Sequence, residues 1–304
     1  MEPGAISLKA TGRGRRRLLV NKVAEGAAVL AAFAAVAVLA IVIWSVGSRG
    51  VGAINLDFFL KGPSSDFFGG GGGIAPALVG SLLLVGVATL IALPMGVLTA
   101  IFVSEFARVS IGRQVRLWLD VLNGFPSIVI GIFVFTLAVK TKVPVLGIGH
   151  HQSAIAGGFA LSVIMLPLVA RSTMEVLALV PGALREASLA LGVPRWRTTL
   201  SVVLPQTVGG IVTGTTLAVA RAAGETAPLL FTSSVGVGTQ VHWSPHHPLQ
   251  SVPVAIFELS ESPDPKDHAR AWAAALVLLV FILLASLSAR WLATRHRSRL
   301  GTSR

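Results

Sequence analysis

Two charged residues stand four apart inside an otherwise apolar stretch of this sequence, Arg221 and Glu225. An arginine stays charged at any physiological pH and offers five N–H donors in a planar fork, which can meet two oxygens of an anion at once. In hydrocarbon such a group needs a partner. Glu225 at i+4 would share its helical face and neutralise it while no anion is present. The other reading is a permanent ion pair that only orients helices. Arg171, with Glu175 at i+4, closes another apolar stretch, where it either anchors the helix at the membrane surface or supplies a second anion contact at the inner mouth.

Catalytic chemistry has no comparable pattern, because His-Glu-x-x-His, Gly-x-Ser-x-Gly and paired carboxylates are all missing. Zero cysteines exclude a disulfide framework, a thiolate metal site and a cysteine nucleophile. His242, His246 and His247, and His150 with His151, have ligand atoms, but Pro245 and Pro248 argue against a helix that would align His242 with His246. Solvated loop histidines are therefore preferred to a zinc site. The five glycines Gly69 to Gly73 read as a flexible spacer, since a phosphate cradle needs Gly-Lys-Ser/Thr at a helix start and the chain has no Gly-Lys dipeptide. Any ATP chemistry must come from another polypeptide, and no cofactor is expected.

The scaffold for these residues has to be a membrane protein. Of 304 residues 53% are hydrophobic and only 12% charged, with a mean hydropathy of +0.78, which no ordinary soluble domain shows. Apolar stretches long enough to cross about 30 Å of hydrocarbon as helix occur six times, at about 27–46, 78–103, 117–139, 154–170, 208–231 and 272–292. They are too long and too unalternating for a barrel, so the fold class is all-α with six transmembrane helices. The run after Arg15, Arg16 and Arg17 imitates a signal peptide but is too long and lacks a small-x-small cleavage site, so it is expected as a retained first helix.

Outside the spans, eighteen Lys and Arg fall on one side and six on the other, which makes both termini cytoplasmic. The domain reading is a basic cytoplasmic arm at 1–26, a first transmembrane helix at 27–46, a Gly-rich outer loop at 47–76, a core at 77–292 containing an inner loop at 171–205, and a basic cytoplasmic tail at 293–304. Without a helix-turn-helix, zinc finger or aromatic platform, the basic ends read as topology and not as nucleic-acid contacts.

The inner loop uses about 35 residues where a few would connect two helices. It reads as two helical pieces, 171–179 stopped by Pro181 and Gly182, and 183–191 stopped by Gly192 and Pro194. Ala187, Ser188, Ala190 and Gly192 would present a small-residue face to another chain; an interfacial pair that merely snorkels its arginines is the alternative. Arg221 lies sixteen residues beyond Pro205, about 24 Å along a helix and so towards the outer half of its span. Pro94, Pro126 and Pro167 interrupt spans, either as kinks or for packing. Gly210 and Gly214 suggest a close contact with a partner subunit, and 254–260 a short helix at the outer interface.

That inner loop carries a family signature. Glu186, Ala187, Ser188, three further residues, Gly192, then Val202, Leu204 and Pro205, resembles the E-A-A-x3-G-x9-I-x-L-P motif of ABC importer permeases, with Ser188 and Val202 as conservative departures. Gly124 to Gly131 resembles the P-S-I-V-x-G turn, and Arg221 to Pro228 the A-R-A-x-G-E-T-A-P block, of the phosphate importer permeases. Of the two homologous permeases such importers contain, the E-T-A-P-L-L ending at Glu225 to Leu230 matches one. The resemblance implies a type I importer permease of MetI-like architecture in a bacterial inner membrane. It further implies that Glu186, Ala187, Ser188, Gly192 and Pro205 dock a cytoplasmic ATPase dimer, and that Arg221, Glu225, Thr226 and Arg171 line a phosphate path. The implied partners are a homologous permease, the ATPase, an extracytoplasmic phosphate-binding protein and membrane lipid. Rival readings are a permease for another oxyanion, such as molybdate or sulfate, or an ion-coupled secondary carrier. The carrier would be expected to show a coupling carboxylate near mid-membrane and often an inverted repeat, and neither is evident.

Overall fold

A computed structural model describes residues 13–63, 72–140, 152–233 and 240–301, all helix and connections, with no strand among them. Gly69 to Gly71, His150 and His151 lie outside the described residues. The chain forms two compact units, residues 1–49 and 50–304.

The first unit is helix α1 (Arg13–Gly50). It starts well before the apolar stretch, in the basic segment, and its 38 residues would reach roughly 57 Å, longer than a bilayer core. Large apolar side chains such as Phe33 and Trp44 are exposed. A helix apolar on all sides suits lipid as its solvent.

The second unit contains α2 (Leu56–Leu60), α3 (Ala75–Ile101), α4 (Val109–Gly124), α5 (Ser127–Val134), α6 (Ala154–Ala178), α7 (Gly182–Ala190), α8 (Arg195–Thr198), α9 (Leu204–Ala222), α10 (Ala227–Thr232), α11 (Val252–Glu261) and α12 (Pro265–Gly301). Helix α6 is the hub, packed against α3, α4, α5, α9 and α10. Its N-cap, Ser153, accepts the N–H of Ala156, satisfying one of the donors a helix start leaves free. On α3, Leu84, Ala88, Ala92 and Ala100 recur at multiples of four residues and are fully buried. Such a stripe of small side chains lets two backbones approach closely where there is no water to drive association.

Five described helices are long and apolar enough to cross a membrane, or six if the bent pair α4 and α5 counts as one span. That pair is where the third span, expected at 117–139, is interrupted at Pro126: the axes meet at 96°, with Phe125 and Pro126 extended between them. Proline has no N–H and pushes its predecessor out of helical geometry. Pro94 and Pro167, by contrast, lie inside continuous helices. The fifth span is corrected. It runs from Arg195 to Ala222 through α8, a π-helical turn at Thr199–Val203 and α9, then stops where the apolar stretch had suggested helix to 231.

Gly210 and Gly214 pack on α6 of the same chain. A Cβ on Gly210 would lie 2.5 Å from Cγ1 of Val176, and one on Gly214 would collide with the Ser172 side chain. This small-residue face seats α9 on α6. The expected short interfacial helix exists as α11, but Val252 to Ala255 are buried, packed against α3 and α12.

Candidate functional site

Arg221 occupies the last turn of α9. The helix tightens and stops there, with Gly224 N–H bonding the Arg221 carbonyl at 3.0 Å and Glu225 N–H that of Ala222 at 3.1 Å. Pro228 then sits in the first turn of α10, the position where a missing N–H costs nothing. Thr226 is the hinge between the two helices; its carbonyl accepts from Leu229 and Leu230. Glu225 therefore lies in the break, not on a continuing helical face. Across from it is the other break, since α5 packs on α10, with Gly131 against Pro228.

Between the two breaks lies a cavity of about 90 Å³, lined by Asn123, Ser127, Ile164, Arg221 and Glu225 among others. Arg221 Nε is 3.8 Å from Glu225 Oε1, with the arginine side chain 57% exposed and the glutamate 19%. At that distance the charges attract without forming a hydrogen bond. Among the described residues the guanidinium donates to no acceptor, so its fork is open. Asn123 and Ser127 add polar residues to the lining, and the positive end of α5 begins at Ser127. Cationic and hydrogen-bonding groups can thus replace water around a small anion at a point where irregular backbone lines a cavity.

The loop expected to meet an ATPase is ordered. α7 ends in a Schellman motif: Gly192 N–H bonds the Leu189 carbonyl at 2.9 Å and Val193 N–H the Ser188 carbonyl at 3.2 Å. Gly192 has φ +78°, the left-handed geometry this stop requires and glycine supplies without a Cβ penalty. Glu186, Ala187, Ala190 and Gly192 are exposed, and Leu191 is 84% exposed. Ser188 is not part of that surface. It is buried, and its hydroxyl meets that of Thr198 on α8 at 2.9 Å. Pro205 sits in the first turn of α9.

Comparison with known proteins decides the family. The model of the binding-protein-dependent transport system inner membrane component family matches residues 92–298. The phosphate transport system permease protein PstA of Xylella fastidiosa is 39% identical over 286 residues, 93% of this chain and 96% of that one. PstA of Pasteurella multocida is 36% identical over 278 residues, covering 90% and 94%. PstA 1 of Mycobacterium tuberculosis is 37% identical over 290 residues, covering 93% and 92%. The chain belongs to the PstA permease family. Solved structures share its fold: a bacterial alginate ABC transporter, at 14% identity, TM-score 0.63 and 93% and 98% coverage, and the inward-facing MetNI methionine ABC transporter, at 17% identity, TM-score 0.55 and 73% and 94% coverage. It is a multi-pass inner membrane transporter subunit with type I importer architecture, and not an enzyme.

In this PstA-family chain, Arg171 is not grouped with Arg221. It forms an ion pair with Asp120 of α4, not with Glu175, so it ties α6 to α4. Among the described residues no group of three or more His, Asp or Glu is placed to hold a metal; His242 stacks on His247 with ring centroids 5.2 Å apart. Sequence reasoning missed Asn123 and Ser127 as lining residues, although the Pro126 break beside them was the available signal. It also missed Glu105, which binds Arg185 across 80 residues of sequence; no local pattern announces that pair.

Proposed function

We propose that this chain is a permease subunit of an ATP-driven inorganic phosphate importer. It forms the path with a homologous PstC-like permease, is driven by a cytoplasmic PstB-like ATPase dimer and receives phosphate from an extracytoplasmic PstS-like binding protein. Both termini are cytoplasmic in this reading, which the asymmetry of Lys and Arg supports; residues 1–26 and 293–304 are then basic cytoplasmic segments, 47–76 an outer loop and 171–205 the coupling loop. The single observation that carries the reading is the open guanidinium of Arg221, 3.8 Å from Glu225 in a cavity between two helix breaks.

The chemistry is an exchange of partners. In the empty path Glu225 balances Arg221 through space; when phosphate arrives, the unused N–H groups bond its oxygens and replace lost hydration. Because Glu225 remains close, the site repels as well as attracts, which suits an anion that must leave again. Thr226 sets the angle at which α9 hands over to α10 and so where Arg221 points. Ser188 holds α7 to α8, while exposed Glu186, Ala187 and Gly192 form the face for the ATPase, and Pro205 starts the helix that ends at Arg221. That the relatives are phosphate transport system permeases favours phosphate over molybdate or sulfate. The test is ATP-dependent uptake in proteoliposomes holding the complete importer, with phosphate, sulfate and molybdate supplied separately. Phosphate alone should accumulate; entry of sulfate or molybdate without phosphate overturns the assignment.

A further inference from the structure

One network joins the coupling loop to the transmembrane helices at a place outside the anion path. It is centred on Glu105, which α3 delivers after leaving α-helical geometry: the π-helical turn Phe102–Phe106 changes the bearing of the side chain relative to the α-helical turns before it. Glu105 is 10% exposed, so its charge must be met within the protein. Arg185 of α7 meets it. Nε lies 3.2 Å from each carboxylate oxygen, and Nη2 lies 2.8 Å from Oε1.

The rest of the guanidinium is also engaged. Nη1 donates to the Val180 carbonyl at 2.7 Å, just past the end of α6, and Nη2 to the Leu177 carbonyl in its last turn at 2.9 Å, which also accepts the Val180 N–H at 3.3 Å. A cation there is favoured by the helix dipole as well. One side chain of α7 therefore binds the ends of both α3 and α6. On its other side α7 is joined to α8 by Ser188 and Thr198, and α8 continues into the span that ends at Arg221.

We propose that Glu105 and Arg185 are positioning residues that form a mechanical lock, making α3 and α6 follow the coupling loop so that ATPase motion reaches the anion path. The planar fork matters because a bidentate pair resists rotation as well as separation. Without the pair, α7 stays joined to α6 through residues 179–181 and to α9 through α8, but the short connection can bend and α3 loses its direct tie, so α7 can move without carrying α3 and α6 with it and hydrolysis proceeds with fewer anions moved.

The lock rests on the importer reading, and one experiment separates the two. Proteoliposomes with the complete importer are assayed for phosphate imported per ATP hydrolysed, at equal amounts of assembled complex, for the natural chain, Glu105→Gln, Arg185→Gln, Arg185→Lys and the double Gln variant. Failure of the natural chain to import phosphate refutes the importer reading. With import present, the lock requires that each single Gln variant keep ATP hydrolysis while phosphate per ATP falls about tenfold or more, a loss typical of breaking a charge-assisted network. The double variant should be no worse than either single one, since the residues act as a unit, and Arg185→Lys should recover only part. Unchanged phosphate per ATP, losses that multiply in the double variant, or failure of the near-isosteric Glu105→Gln complex to assemble would each overturn the lock.

Discussion

Gly192 offers the cleanest perturbation in the coupling loop, because its effect separates conformation from contact. Its φ is +78°, yet a Cβ added there would meet nothing within 4 Å. Substitution therefore adds no clash, and the whole effect comes from the backbone. For an ordinary L-residue the left-handed region costs roughly 1–2 kcal/mol, and β-branching makes it worse. If docking requires the Schellman turn, a penalty of that size depopulates the docking geometry by about five- to thirtyfold. Asparagine tolerates left-handed geometry far better than valine. The expected order of substrate-stimulated ATP hydrolysis in the reconstituted importer is natural chain, Gly192→Asn, Gly192→Ala, Gly192→Val, with valine down by about tenfold. Equal activity of the asparagine and valine variants, at equal amounts of inserted chain, would refute the backbone argument.

Further outcomes follow from orientation and packing. A reporter active only in the cytoplasm should work when fused after Arg185 or Arg297 but not after Gly72 or Ser251; activity at Gly72 would reverse the topology. Gly214→Leu should lower the thermal stability of the purified chain by about 1–3 kcal/mol or more, because the new side chain must enter space held by Ser172. Gly86→Ala, where a Cβ meets nothing within 4 Å, should not lower the unfolding temperature and should raise it slightly, because alanine is the better helix former; equal melting of the two variants would exclude the α6 to α9 contact.

Much of this was legible from hydropathy, and the failures have definite causes. The break after Ala222 is flanked by apolar residues on both sides, so an average over twenty residues runs straight across it. Pro126 was visible, but a proline alone does not say whether a helix breaks: Pro94 and Pro167 lie inside continuous helices, whereas Pro126 separates two that bend by 96°. The spacing of Gly210 and Gly214 announced close approach without naming the neighbour, which proved to be α6 of the same chain. Arg171 had a plausible local partner in Glu175, and the structure pairs it instead with Asp120 on another helix. Ser188 was legible as part of a motif, but a buried hydroxyl pair with Thr198 depends on how α7 folds back, which the motif does not encode.

In the proposed importer the open fork of Arg221 binds the transported anion. The most direct test is phosphate uptake in cells lacking other phosphate importers, normalised to assembled complex, for Arg221→Lys, Arg221→Ala and Arg221→Ala combined with Glu225→Ala. Losing charge-assisted bonds worth about 1.5–3 kcal/mol each should reduce uptake at least tenfold in Arg221→Ala, with lysine less severe because it keeps the charge and loses only the fork. The double alanine variant should remain as inactive as Arg221→Ala, since removing the unpaired acid does not restore a donor. An ion pair that merely orients helices predicts the reverse, and recovery of uptake in the double alanine variant would show that Arg221 does not bind the anion.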